Sequence, residues 1–238
     1  SLRTVTDGVD RIYFSYPIDP RHLEAATNMA VAAREAGVET LVNNSLMPAR
    51  ADHPSPEARQ HWLAERIFDW AAIGAIHVRG AFFYENLLRW AAGGVTATGE
   101  LRLPFGEGDG KVFWVAAEDI ARVDAAILAN PDPHRGQTYN IAGPDLLTHN
   151  EIATLFGRVL ERPVAYVDIP VEQWREDLVT LEGPHPHLIE HLSCLAYEFR
   201  QRARVDGIRT VTVKQITGVE PLSLKAYLVQ HKGALFQQ

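Results

Sequence analysis

Two hydrophobic periods alternate along the first half of the chain. Residues 10–17 (DRIYFSYP) form a short apolar run rich in aromatic and β-branched residues and closed by proline, the pattern of a strand. Between Pro20 and Ala36, Leu23, Ala26, Met29, Ala30 and Ala33 recur at helical spacing, and Gly37 follows as a stop. Val38–Asn43 reads as a second strand. A polar loop, 45–55, then leads to a helix from Pro56 to about Ala72, with the proline in its first turn. Ile76–Val78 predicts a third strand and Phe82–Ala92 another amphipathic helix. Strand–helix repeats of this length imply a parallel sheet with crossover helices.

Beyond Gly93-Gly94 the pattern changes. Leu101–Phe105 and Lys111–Val115 flank the turn-rich residues 106–110 and suggest a hairpin. Glu118–Ala129 reads as a helix and Thr138–Ile141 as a strand. Thr148–Leu160 is a helix, with Thr148 as N-cap and Glu151 completing a capping box. Val164–Ile169 is a further strand, and the rest is mainly helical, with breaks near Gly183 and Gly207. The expected division is a core over 1–145 and a C-terminal substrate-binding lobe over 146–238, interleaved with that core.

Composition narrows the functional classes. The 238 residues carry 46% hydrophobic and 22% charged side chains, enough to bury a core, and a formal charge of −7. Without clustered Lys and Arg, a nucleic-acid surface is not expected. A single cysteine, Cys194, excludes an intrachain disulfide framework. No apolar stretch is long enough for a membrane helix and no signal pattern opens the sequence, so the expected location is cytoplasmic.

The ordered segments resemble the NmrA-like branch of atypical short-chain dehydrogenase/reductases. The resemblance rests on VDRIYFSYP (9–17), AAREAGVETLV (32–42), and His61 with Glu65 in RQHWLAER. It continues through VRGAFFYENLL (78–88), EDIARVDAAIL (118–128), YNIAGPDLLTHNEIA (139–153) and ITGVEPLSLKAYLVQH (216–231). It implies an α/β fold: a Rossmann-like parallel sheet with flanking helices and a smaller, mainly helical C-terminal lobe. Family members open with a strand, a glycine-rich turn and a helix whose N–H groups hold a dinucleotide pyrophosphate. Ser1 aligns just before the family's fourth strand, so about two βα units are not found and the fold reads as truncated. The expectation is therefore no cofactor, with NAD(P) returning only if that segment is supplied. The strand at 10–17 then becomes an apolar edge, to be covered by a homodimer partner or by the chain's own terminal helices.

His61 matches the position of an acid/base lysine in isoflavone-reductase-like relatives, with Glu65 one turn on. The alternative is a structural pair at a helix start. Tyr84 is a candidate hydroxyl donor, whereas Phe83 reads as core. Tyr16 and Pro17 follow the first strand, and Asn43, Asn44 and Ser45 end the second, where ligands of open α/β sheets gather; they line a site or merely make turns. Arg79 and Asn86 follow the third strand, and Trp114 with Phe113 would cap an apolar ligand or pack the core. His187, His191 and Cys194 share a helical face with ligand-type side chains, but Pro186 and the apolar neighbours favour a docked helix start, so no metal is expected.

The leading expectation is non-redox acid/base chemistry (isomerisation, dehydration, cyclisation or addition–elimination) on an oxygenated, aromatic or polyketide-like small molecule. The alternatives are an NAD(P)H-dependent reductase of the quinone or phenolic type, and a binding or regulatory module.

Overall fold

The computed structural model describes residues 2–201 and 210–233. The chain order is α1 (Leu2–Thr6), β1 (Arg11–Phe14), α2 (His22–Glu35), β2 (Thr40–Leu46), α3 (Pro56–Ala71), β3 (Ala75–Gly80), β4 (Phe82–Phe83) and α4 (Tyr84–Thr98). There follow β5 (Glu100–Leu103), β6 (Trp114–Val115), α5 (Ala117–Ala129), β7 (Thr138–Ala142), α6 (His149–Leu160) and β8 (Ala165–Asp168). The described chain closes with α7 (Val171–Glu182), α8 (Pro186–Gln201), β9 (Val211–Thr212), α9 (Val213–Thr217) and α10 (Leu224–Gln230). The break expected at Gly207 lies outside the described residues.

The main sheet is parallel throughout, in the order β1-β2-β3-β7-β9. Alternation along β2 sends its side chains to two faces. Leu41 packs with Ala26, Ala30 and Ala33 of α2 and with Ala64 and Phe68 of α3. Val42 packs on the opposite face with Ile120, Val123 and Ile127 of α5 and Val213 of α9. The alanines of α2 let that helix approach closely, which is why its apolar stripe is built from small residues. A third cluster, with Trp174, Phe156 and Tyr84 among its largest members, fills the space between α4, α6, α7, α8 and α10.

The hairpin expected around residues 106–110 is not formed. β5 pairs in parallel with β8, and β6 pairs in parallel with β4. The glycine-rich loop instead closes on the start of α6, where the amides of His149 and Asn150 donate to the carbonyls of Gly110 and Gly108 at 3.1 and 2.9 Å. A Cβ on Gly108 would lie 2.4 Å from the Asn150 side chain, so this glycine serves a backbone approach rather than a strand reversal. The α6 capping box forms as the spacing predicts, with Thr148 accepting from Glu151 N–H and Glu151 accepting from Thr148 N–H. α4 runs six residues past its expected end, through Gly93-Gly94 to Thr98.

β1 is the edge of the main sheet, and among the described residues no strand pairs with its outer side. Of the helices near the two ends, α1 packs on α2 and α10 on α6. Near this edge Asp124, on the buried face of α5, is only 3% exposed. Burial pushes its carboxyl up to about 7, with partial relief from Tyr13 on β1.

The sign of the resulting pH dependence is fixed. The folded value exceeds the unfolded one near 3.8, so the cost is absent below about pH 4 and complete above about pH 7. Asp124→Asn is expected to raise the urea midpoint at pH 8 and leave it nearly unchanged at pH 4; equal effects at both values would show that the carboxylate is not strained.

Candidate functional site

The carboxyl ends of β1, β2 and β3 open into a cavity of about 710 Å³, roofed by α8. Its wall is laid down by the segments leaving those strands: Tyr16, Pro17 and Ile18 after β1, Asn44 to Arg50 across the end of β2, and Gly80 to Phe83 after β3. Phe113, Trp90 and Phe199 extend the aromatic lining. Phe82 joins the aromatic layers, with its ring centroid 5.3 Å from Trp114 and 5.8 Å from Trp90. Ligands of open α/β sheets collect at this end because the strands stop there and the connecting loops diverge.

The floor is set by a buried polar stripe along α3. Ser55 caps this helix by accepting from Ala58 N–H, and Pro56 begins it. Glu57, His61 and Glu65 then recur at i, i+4 and i+8 and all face inward. Glu65 is fully buried; Arg79 on β3 grips it through two bonds, Nε–Oε1 at 2.8 Å and Nη2–Oε2 at 2.5 Å. Ser45 Oγ donates to the same carboxylate at 2.7 Å. This bidentate, hydrogen-bonded ion pair locks α3 onto the ends of β2 and β3.

The other carboxylate, Glu57, is equally buried. It meets His22 Nδ1 on α2 at 2.9 Å, His61 Nε2 at 3.2 Å and His187 Nε2 on α8 at 2.7 Å. Burial alone would raise its pKa, but the hydrogen bonds from His22, His61 and His187 outweigh that and hold the carboxyl well below the usual range. His61, nearly all buried, is pushed down by desolvation against the opposing pull of Glu57. Two further contacts bring α8 over the loop after β2. Burial lowers His191 to about 3, and its Nδ1 lies 2.7 Å from Ser55 Oγ. His53 Nε2 donates to Glu198 at 2.8 Å.

The structure sorts the candidates read from the sequence. Tyr16, Pro17, Asn44, Ser45, Asn86 and His61 lie on the cavity wall. Three substrate-binding candidates do not. Asn43 is fully buried and hydrogen-bonded to His77, because odd positions of β2 face α3. Arg79 is committed to Glu65, and Trp114 is 2% exposed in the apolar cluster. The aromatic pair after β3 is reversed from expectation: Phe83 lines the cavity, while Tyr84 is 1% exposed and packs on Tyr227 at 5.3 Å. Burial raises the Tyr84 phenol above its usual range. Glu65 does not orient His61; Glu57, one turn earlier, does. His187, His191 and Cys194 diverge to Glu57, Ser55 and Glu190, respectively. Glu57, His22, Phe82 and Met47 were not singled out from sequence, although the i, i+4, i+8 spacing of Glu57, His61 and Glu65 carried the signal for the first.

A doubly layered α/β sheet with a ligand cleft at its carboxyl edge defines the Rossmann-like class. The chain belongs to the NmrA-like family, whose profile matches residues 1–228. It is similar to the NAD(P)H azoreductase of Xenophilus azovorans, 30% identical over 98% of this chain and 79% of that protein. Its fold resembles that of an NADPH-dependent quinone oxidoreductase from Escherichia coli complexed with NADPH (TM-score 0.80, 22% identity, 98% of this chain and 79% of the other). A Citrobacter sp. triphenylmethane reductase complexed with NADP(H) is similar as well (TM-score 0.80, 19% identity, 96% and 79%). These relatives overturn two expectations: cofactor-free, non-redox chemistry, and the absence of a nicotinamide cofactor. Both were drawn from the lack of a glycine-rich turn within 1–238, as was the reading of the fold as truncated, which the family match over 1–228 does not support.

The residues present fit one end of such a cofactor. The cavity is of a size that small-molecule sites commonly have, and its aromatic wall with the Asn44 and Asn86 amides suits a flat carboxamide-bearing ring. Among the described residues no glycine-rich strand-to-helix turn receives the phosphates.

The Glu65–Arg79 pair yields a double-mutant test. Arg79→Leu strands a buried carboxylate and is expected to cost about 3–5 kcal/mol in urea unfolding, whereas Glu65→Leu/Arg79→Leu recovers most of that loss. Additive losses would show that the two side chains act separately.

Proposed function

We propose that this chain forms the acceptor site of an NAD(P)H-dependent reductase acting on flat, conjugated acceptors of the quinone or azo-dye type. The observation that carries this reading is the aromatic cavity at the ends of β1–β3, in a chain whose relatives include an NAD(P)H azoreductase. When bound, the nicotinamide supplies the hydride. Pro17 and Tyr16, just past the end of the edge strand β1, would hold its ring, since strand ends are where this sheet class presents ligands.

The chain's own residues then position the acceptor. Phe82, Phe83 and Phe113 offer apolar faces against which a planar ring system packs and from which it excludes water. The amide groups of Asn44 and Asn86 supply donors for a carbonyl oxygen on which negative charge develops during reduction. Asn44 Nδ2 reaches Ser15 Oγ at 3.4 Å, a long contact beside Tyr13. His61 braces the wall through Glu57, which fixes the ring rather than leaving it free to exchange protons.

The test is oxidation of NADPH by the purified chain with menadione and with an azo dye, followed at 340 nm. Turnover that requires acceptor is expected, with Phe113→Ala raising KM for the acceptor several-fold and leaving NADPH affinity unchanged. No turnover with either acceptor at millimolar NADPH, together with no NADPH fluorescence change on mixing, would overturn the proposal.

A further inference from the structure

Three imidazoles gather on the two oxygens of the buried Glu57 carboxylate. Here two rings converge on the same oxygen. His22 Nδ1 and His61 Nε2 lie 2.9 and 3.2 Å from Glu57 Oε1, and the three atoms all fall within 4.8 Å of one another. Their side chains are 1%, 4% and 0% exposed.

That arrangement has the size of a coordination shell. With metal–ligand bonds of about 2.0–2.1 Å, neighbouring ligand atoms in a tetrahedral site stand about 3.3 Å apart. The two measured separations differ from this by a few tenths of an ångström, within the reach of small rotamer adjustments. The second oxygen, Oε2, is already held at 2.7 Å by His187 Nε2. A ligating carboxylate whose other oxygen accepts an outer hydrogen bond is the usual support of a metal site. Glu57 and His61 are rigidly spaced at i, i+4 on α3, and His22 begins α2, so no ligand comes from a loose loop.

We infer that His22 Nδ1, Glu57 Oε1 and His61 Nε2 form a binding site for a zinc-type divalent cation, with His187 orienting the carboxylate from outside. Two nitrogens and one carboxylate oxygen suit borderline cations such as Zn²⁺ rather than Mg²⁺ or Ca²⁺, which demand more oxygen ligands. Three protein ligands leave a fourth position for water. His61 also belongs to the cavity wall, so the site adjoins the cavity. This inference does not depend on the reductase reading.

The experiment titrates the full chain, stripped with EDTA, with Co²⁺ as a spectroscopic probe and then with Zn²⁺ against a chromophoric chelator. One equivalent of Co²⁺ with visible bands of tetrahedral type is expected, displaced by Zn²⁺ with a Kd at or below about 1 µM. His22→Ala and His61→Ala should each weaken Zn²⁺ at least 100-fold, and His187→Gln about 10–100-fold, with far-UV circular dichroism unchanged. His231→Ala, remote from the cluster, should leave affinity intact. Should the ligand variants fail to fold, the wild-type titration decides by itself. A folded wild-type chain that gives no tetrahedral Co²⁺ spectrum, or folded variants that bind Zn²⁺ as well as wild type does, would overturn the site and leave a hydrogen-bonded cluster only.

Discussion

The two carboxylates buried on α3 constrain everything around the cavity. A charge withdrawn from water must be met by donors in fixed positions, because an unpaired one costs several kcal/mol. Glu65 meets this demand through Arg79 and Ser45, tying α3 to the ends of β2 and β3. Glu57 meets it through His22, His61 and His187, tying α3 to α2 on one side and to α8 on the other. α8 therefore closes over the sheet at a defined place, and the cavity is the space left beneath it.

This arrangement separates residues that shape the site from residues that face its contents. Arg79, Asn43 and Tyr84 stand near the strand ends in sequence, yet their side chains are spent on Glu65, His77 and the apolar cluster. The cavity is lined by aromatic rings and the Asn44 and Asn86 amides, together with charged side chains at its margin such as Arg50, Arg89 and Lys111. Its aromatic faces are what the proposed flat, conjugated acceptor would pack against.

Much of the sheet was legible in the chain's hydrophobic periods. The strands at 11–14, 40–46, 75–80 and 138–142, and the capped helix after Thr148, follow from alternation, helical spacing and cap chemistry. The hairpin misreading had a physical cause: two apolar runs flanking a glycine-rich turn look the same whether they pair with each other or with distant strands, and β5 and β6 pair with β8 and β4. Residue facing was harder still. Asn43 and Asn44 differ only by the alternation of β2, and no local signal says which one meets the cavity. Glu57 was readable as one member of an i, i+4, i+8 stripe, but its partners His22 and His187 lie 35 and 130 residues away and meet it only in the folded state. The chemistry went astray because the lack of a glycine-rich turn within 1–238 was weighed above the family that residues 1–228 match.

The central claim, that the cavity at the ends of β1–β3 receives a planar acceptor, is tested most directly by a crystal structure of the chain soaked with menadione. The account predicts electron density for the quinone between Phe113 and Phe83, with a carbonyl oxygen within hydrogen-bond distance of the Asn44 or Asn86 amide. Density for the quinone only outside this cavity, or a cavity filled by side chains, would contradict it.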